Sequence, residues 1–337
     1  MLNVLIDMPV YEPVLRQLQQ TPGVAVEVVA QPEEKVRPLP VSQIQDCDVL
    51  FCTFLPENHE AMTRLKLVQI SSAGYSQLFG KNLTARGVRA CNSLGVFDVP
   101  IAEWNIAMMI NLARDVRGLV RNQENRVWDR SARFQKEIRG SVVGIWGYGG
   151  IGRETARLAK ALGMTVHVLV RQPIQNRDTV FCVPGTGDPE GTLPDRVFYG
   201  HEKEAFLNGL DFLVMAVPQT ATTTGLVGEA ELRMLPPTAF VLNPARGPLI
   251  QETALLKALQ EGWIAGAALD THYHYPMPPE HPLWALPNVI LTPHISGSSL
   301  SPRFLERVSS IFLQNVEQFL AEKPLLNELT VSQLAGN

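Results

Sequence analysis

At 337 residues, with 45% apolar and 18% charged residues, the chain is long enough for two packed domains and has the composition of a soluble globular protein. A net charge of −4 without a Lys/Arg run argues against a nucleic-acid or anionic-membrane partner, and no apolar run reaches the length of a membrane span. Cys47, Cys52, Cys91 and Cys182 follow neither a disulfide nor a zinc-ligand spacing, so no metal is expected and a reducing, cytoplasmic setting is.

The opening MLNVLIDMPV lacks a basic start and carries Asp7 and Pro9, and so reads as a first strand rather than a signal peptide. Short apolar runs at Val4–Ile6, Val24–Val29, Val49–Phe51, Leu67–Ser71 and Val88–Ala90 predict strands, with the amphipathic stretch Glu12–Gln20 as a helix between two of them. Strands alternating with helices imply a parallel sheet. A long apolar helix is expected over Ile101–Arg114, and a polar one over Asp115–Trp128.

Ser141–Gly152, SVVGIWGYGGIG, runs from a β-branched strand into Gly147, Gly149, Gly150, Ile151 and Gly152, with the amphipathic segment Arg153–Leu162 directly behind. In such a strand–turn–helix the first glycine permits the turn, the second admits a pyrophosphate and the third lets helix pack on strand. This predicts a dinucleotide site. A second set of strands follows at Thr165–Val170, Asp211–Ala216, Ala239–Leu242, Ile264–Leu269 and Val289–Leu291. Residues 171–200, rich in Gly, Pro and Asp, read as an insertion, either a surface loop or part of the cofactor rim. The amphipathic segment Arg303–Leu320 is expected to return to the first domain. The fold class is therefore α/β, with two doubly wound parallel-sheet domains, flavodoxin-like and Rossmann, and a cleft between them. The expected division is 1–103 with 297–337, against 104–296.

NPARG (Asn243–Gly247), AALD (Ala267–Asp270) and TPHISG (Thr292–Gly297) each sit at the C-terminal end of a predicted strand, the edge where open α/β sheets bind ligands. With GYGGIG and VPQTATTTGLVG (Val217–Gly228), they resemble the D-isomer-specific 2-hydroxyacid dehydrogenase family from Leu2 to about Leu320. The resemblance implies hydride transfer between a nicotinamide and a small 2-oxo or 2-hydroxy acid, glyoxylate- or hydroxypyruvate-like, in a homodimer. It makes Arg246 the carboxylate-binding cation and His294 the acid/base. Ala73 and Gly74, in SSAGYS (Ser71–Ser76), become amide donors to the carboxylate, with Tyr75 beside them. Cofactor contacts fall on Val217, Pro218, Thr223, Asn243, Ala245, His294 and Asp270, the last either orienting nicotinamide or substrate arginine, or capping the following turn.

Two departures stand out. The Glu that pairs with the family's histidine is replaced by Tyr275 in DTHYHYPMPPEHPLW, so a neutral hydroxyl is expected to orient His294 without raising its pKa. Glu280 is the nearest acidic replacement, and His272, Tyr273 and His274 either join the substrate pocket or form a packed loop. The strand over Thr165–Val170 ends on Val170 and Arg171, where NAD-preferring folds carry an acidic residue for the ribose. That suits a 2′-phosphate, so NADP(H) is expected to be preferred, with NAD(H) possible. A corepressor-like nucleotide sensor and a phosphite-type dehydrogenase are the competing readings. Ala73 stands where the latter carries a lysine.

Overall fold

Fully apolar four-residue strands suit a parallel sheet covered on both faces, because neither side of such a strand meets water. The computed structural model, which describes residues 1–131, 136–177 and 179–335, contains two sheets of this kind. The chain divides into two compact units, Met1–Phe97 with Asp178–Val183 and Ser299–Asn337, and Asp98–Arg177 with Pro184–Ser298.

In the first unit, β1 (Leu2–Asp7), β2 (Val24–Val28), β3 (Val49–Cys52), β4 (Leu67–Ile70) and β5 (Arg89–Cys91) form a parallel sheet in the order β2-β1-β3-β4-β5. Period-two alternation sends Val4, Ile6, Val49, Phe51 and Leu67 to one core and Leu5, Leu50, Cys52, Val68 and Ile70 to the other. The helix Pro302–Leu320 covers the first core, with Phe312 stacked on Phe51 at 4.3 Å. Its buried Asn315 donates to Gln69 Oε1 at 2.7 Å and accepts from the Leu326 amide at 2.7 Å, pinning the C-terminal segment to β4. Part of the insertion belongs here too. The Phe181 amide donates to Asn327 Oδ1 at 3.1 Å, and the Asn327 amide donates to Thr179 O at 3.0 Å.

The strands of the second unit are β6 (Val142–Trp146), β7 (Thr165–Val170), β8 (Arg196–Tyr199), β9 (Phe212–Met215), β10 (Phe240–Asn243), β11 (Gly266–Leu269) and β12 (Val289–Leu291). Their parallel order is β12-β11-β10-β9-β6-β7-β8. The order reverses between β6 and β9, and ligands of open α/β sheets bind beyond the carboxyl ends at such a switch point. The reading of residues 171–200 as an insertion without strands is corrected by β8, which pairs with β7 at the sheet edge. Only Phe198 of its four residues is buried, so an edge strand with exposed side chains left no apolar alternation to detect. The apolar helix starts earlier than expected, at Asp98, because Pro100 falls in its first turn, where no backbone donor is needed. The polar one ends earlier, at Glu124. Among the described residues, no helix is long and apolar enough to cross a membrane.

Candidate active site

The glycine loop carries the geometry a dinucleotide requires, and each glycine has its own reason. Gly147 adopts φ +99°, and a Cβ there would lie 2.5 Å from Ala216 O and 2.7 Å from Val217 Cγ1. The loops after β6 and β9 therefore meet at the switch point, and only glycine fits between them. Gly149 is exposed and a Cβ on it would meet nothing within 4 Å, so its backbone is open to a large anion. A Cβ on Gly152 would lie 2.6 Å from Gly147 O, the close approach that lets the helix Gly150–Ala161 start against the turn. Gly150 is filled from the side. Asp98 Oδ2 and Arg177 Nη1, 3.8 Å apart, would lie 1.6 and 2.6 Å from its Cβ. Ile151 is half-buried beside it. These residues fit the pyrophosphate of a nicotinamide dinucleotide.

The insertion docks on this loop through residues the sequence reading did not single out. Tyr148 Oη donates to Asp188 Oδ2 at 2.6 Å, and Asp188 also accepts from the Thr192 and Leu193 amides at 3.0 Å each. Burial alone would raise the Asp188 carboxyl, but the Tyr148 hydroxyl and those amides outweigh it and hold it below the usual carboxylate range. Arg153, 4% exposed, donates to the carbonyls of Asp188, Pro189, Gln175 and Tyr148 and lies over the Tyr148 ring at 5.2 Å. Glu154 accepts from the Gly187 amide and from Arg157. Of the two alternatives for the insertion, residues 187–193 form a rim on the glycine loop. Buried charge beside the glycines was the one signal in GYGGIGRE that pointed to a docked partner. Arg171, at the end of β7, is exposed and pairs with no described residue, and Val170 beside it is half-buried.

The loop after β10 is shaped by Asn243, 1% exposed. Its Oδ1 accepts from the Ala245 and Arg246 amides at 3.2 Å, and its Nδ2 donates to Arg246 O at 2.7 Å. The exposed Arg246 guanidinium bonds, among the described residues, only to Ala245 O at 2.7 Å. Gly247 packs directly on the next loop, since a Cβ there would lie 2.5 Å from His272 C and O. Val217 borders the glycine turn. Pro218 and Thr223 form a closed turn after β9, with Thr223 Oγ1 donating to Pro218 O at 2.7 Å.

His294 sits after β12 at φ +57°, in the left-handed region. Asp270 holds the chain there. Fully buried, it accepts from Thr292 Oγ1, the Ile295 and Ser296 amides and Ser296 Oγ. Those four donors fill the acceptor positions of a carboxylate, so Asp270 anchors the loop that carries His294. Partial burial, then the positive charge of Arg246, hold the His294 pKa below its ordinary value against the opposing pull of Asp270. Arg246 and His294 thus share one electrostatic site.

Tyr275 also differs from expectation. Its ring lies 5.6 Å from that of His294, tilted by 57°, but its hydroxyl accepts from the His272 amide at 3.2 Å. Among the described residues the hydroxyl makes no hydrogen bond to the imidazole, and the ring packs beside it. Glu280 is exposed and pairs with no described residue. His272 is buried, with Nε2 donating to Thr292 O at 2.7 Å, and Tyr273 Oη donates to Ile250 O at 3.0 Å. These two behave as a packed loop.

In the first unit, the Ala73 and Gly74 amides donate to no described acceptor, while Ala73 O accepts from Asn92 Nδ2 at 2.7 Å and Gly74 O from Ser72 Oγ at 2.7 Å. The turn is fixed through its carbonyls and presents its donors. Tyr75 is half-buried, packing on the core and edge-on to Phe79 at 5.9 Å.

Residues 106–296 match the model of the D-isomer specific 2-hydroxyacid dehydrogenase NAD binding domain. The chain is 31% identical to a glyoxylate reductase of Korarchaeum cryptofilum (strain OPF8), over 86% of this chain and 84% of the relative. It is also 31% identical to one of Thermococcus gammatolerans, over 87% and 86%. Among solved structures, it resembles an NADPH-dependent glyoxylate/hydroxypyruvate reductase of Sinorhizobium meliloti in complex with citrate, with TM-score 0.73, 24% identity, and 98% of each chain covered. A D-isomer specific 2-hydroxyacid dehydrogenase of Lactobacillus delbrueckii ssp. bulgaricus, in its NAD complexed form, gives 0.79 at 20% identity, covering 98% of this chain and 100% of that one. With the switch-point glycines, the Arg246 and His294 pair and these likenesses together, the chain belongs to the D-isomer specific 2-hydroxyacid dehydrogenase family.

Proposed function

We propose that this dehydrogenase reduces a small 2-oxo acid, glyoxylate or hydroxypyruvate, to the D-hydroxy acid, with NADPH preferred over NADH. The observation that carries the reading is an exposed guanidinium, after β10, acting on an imidazole of depressed pKa after β12. Arg246 offers a planar fork to the carboxylate, and the Ala73 and Gly74 amides are further donors for the same anion. Protonated His294 gives its proton to the carbonyl oxygen as that oxygen gains charge. The nicotinamide, when bound, supplies the hydride. Gly147, Gly149, Gly150, Ile151 and Gly152 would hold the pyrophosphate, Val217, Pro218 and Thr223 would line the same switch point, and Asn243 and Ala245 would border the nicotinamide.

The NADPH preference is supported by the exposed Arg171 at the end of β7, which pairs with no described residue, and by the absence of a carboxylate at Val170. A homodimer is supported by exposed Ile110, Leu119, Val120, Val127 and Trp128 on the segment 110–128. A cytoplasmic location accords with four cysteines that form no disulfide.

A rate matrix of NADH and NADPH against a panel of 2-oxo acids tests the reading. The highest kcat/KM is expected for NADPH with glyoxylate or hydroxypyruvate. Equal values with NADH overturn the preference. Cofactor binding without any nicotinamide oxidation overturns the activity and favours a sensor.

A further inference from the structure

A second cluster of ligand-type side chains includes neither Arg246 nor His294. Glu252 stands in the first turn of the helix Glu252–Gln260, and His274 and His281 stand on the Pro-rich loop after β11. Glu252 Oε1 lies 2.6 Å from His281 Nε2 and 3.9 Å from His274 Nε2. One ligand atom from each of the three lies within 4.8 Å of the others. His281 is buried, Glu252 half-buried and His274 exposed.

A hydrogen bond between His281 and Glu252 accounts for that pair, but not for the third side chain, whose ring is directed at the same oxygen from beyond hydrogen-bond reach. Two imidazoles and a carboxylate are the protein ligands of known zinc centres. Metal–ligand bonds of about 2.0–2.1 Å in a tetrahedron set the ligand atoms roughly 3.3 Å apart. The observed 2.6 and 3.9 Å straddle that value. Exposed His274 is able to make most of the adjustment.

The scaffold around the cluster is firm. Tyr273 Oη donates to Ile250 O at 3.0 Å, Trp284 Nε1 donates to Pro278 O at 3.0 Å, and the Leu283 amide donates to His281 Nδ1 at 3.3 Å. That last bond leaves the ring proton on Nε2, facing Glu252. An ion at Nε2 moves the proton to Nδ1 and gives up the bond to Leu283.

We propose that Glu252, His274 and His281 bind one divalent transition-metal ion of the Zn²⁺ class, with the remaining coordination position open to water. Imidazole donors select Zn²⁺, Ni²⁺ or Cu²⁺ over Mg²⁺ and Ca²⁺. The ion would tie the start of the helix Glu252–Gln260 to the loop that places Tyr275 beside His294.

The test titrates chelator-stripped full-length protein with Zn²⁺ by calorimetry and with Co²⁺ by visible absorption. One equivalent is expected, with Co²⁺ bands of a site below six-coordination. His274→Ala and Glu252→Gln should each weaken binding at least tenfold, whereas Cys182→Ser, which removes an exposed thiol, should leave it unchanged. His274→Ala is exposed, so its metal-free melting temperature should match the parent and separate ligand loss from misfolding. Absence of stoichiometric binding, binding abolished by Cys182→Ser, or binding insensitive to His274→Ala each overturns the proposal.

Discussion

The loop at Gly147–Gly152 and the loop at Thr292–Ser296 both follow strands of the same sheet, yet they are built on opposite principles. Backbone fit makes the first. Three positions exclude a Cβ, or leave its space open, and a docked rim of Tyr148, Arg153 and Asp188 holds them. A single carboxylate makes the second. Asp270 gathers four donors and thereby keeps His294 at a positive φ, while the imidazole itself stays unbonded among the described residues. Binding a constant anion rewards a rigid backbone. Moving a proton needs a side chain with a free nitrogen and a tuned pKa.

The sharpest way to break this comparison is to remove the free nitrogen. His294→Gln should lower kcat for reduction by about 10²–10⁴-fold while leaving cofactor affinity unchanged, as read by fluorescence titration. A matching loss of affinity would mean that the two loops are one functional part. Gly147→Ala should do the reverse. The left-handed backbone and the Ala216 carbonyl together should cost about 2–5 kcal/mol, seen as a lower melting temperature and weaker cofactor binding.

Tyr148→Phe probes the rim alone. Removing a buried hydrogen bond to the Asp188 carboxylate should cost about 1.5–3 kcal/mol, lowering the melting temperature by roughly 2–4 °C per kcal/mol, with kcat little changed. An unchanged melting temperature would show that the rim does not support the loop.

The smallest effect is a shift in pH. Reduction consumes protonated His294, and its depressed pKa empties that form as pH rises through values below its ordinary value near 6.5. The alkaline limb of kcat/KM for reduction should therefore begin at a lower pH than an ordinary histidine would give. Tyr275→Glu places a carboxylate beside the ring and should move that decline upward by about one pH unit or more, in a profile from pH 4.5 to 9. A decline that stays in place would mean that the Glu252–Gln260 side of the loop, not position 275, sets the titration.

Much of this was legible before the fold. The helix Glu12–Gln20 was read to the residue and most of the strands to within a residue or two, because buried parallel strands are short apolar runs between turns. Gly147, Gly149 and Gly152 were legible because each role is a demand on backbone geometry at fixed spacing. Arg246 and His294 were legible from motifs at strand ends. β8 was not, since an edge strand need not be apolar.

The sequence by itself determined the two parallel sheets, the glycine turn between strand and helix, and the placing of Arg246 and His294 in loops after strands. These depend on period, spacing and residue type, which are local. Only the tertiary structure decided that Asp270 is spent on its neighbours, that the Tyr275 hydroxyl turns to His272, that residues 187–193 brace the glycine loop, and that Glu252 meets His274 and His281. Each of those outcomes depends on which donor or acceptor arrives from elsewhere in the chain, as from Asp188 to Tyr148, and a side chain's partner is fixed by packing rather than by its own position in the chain.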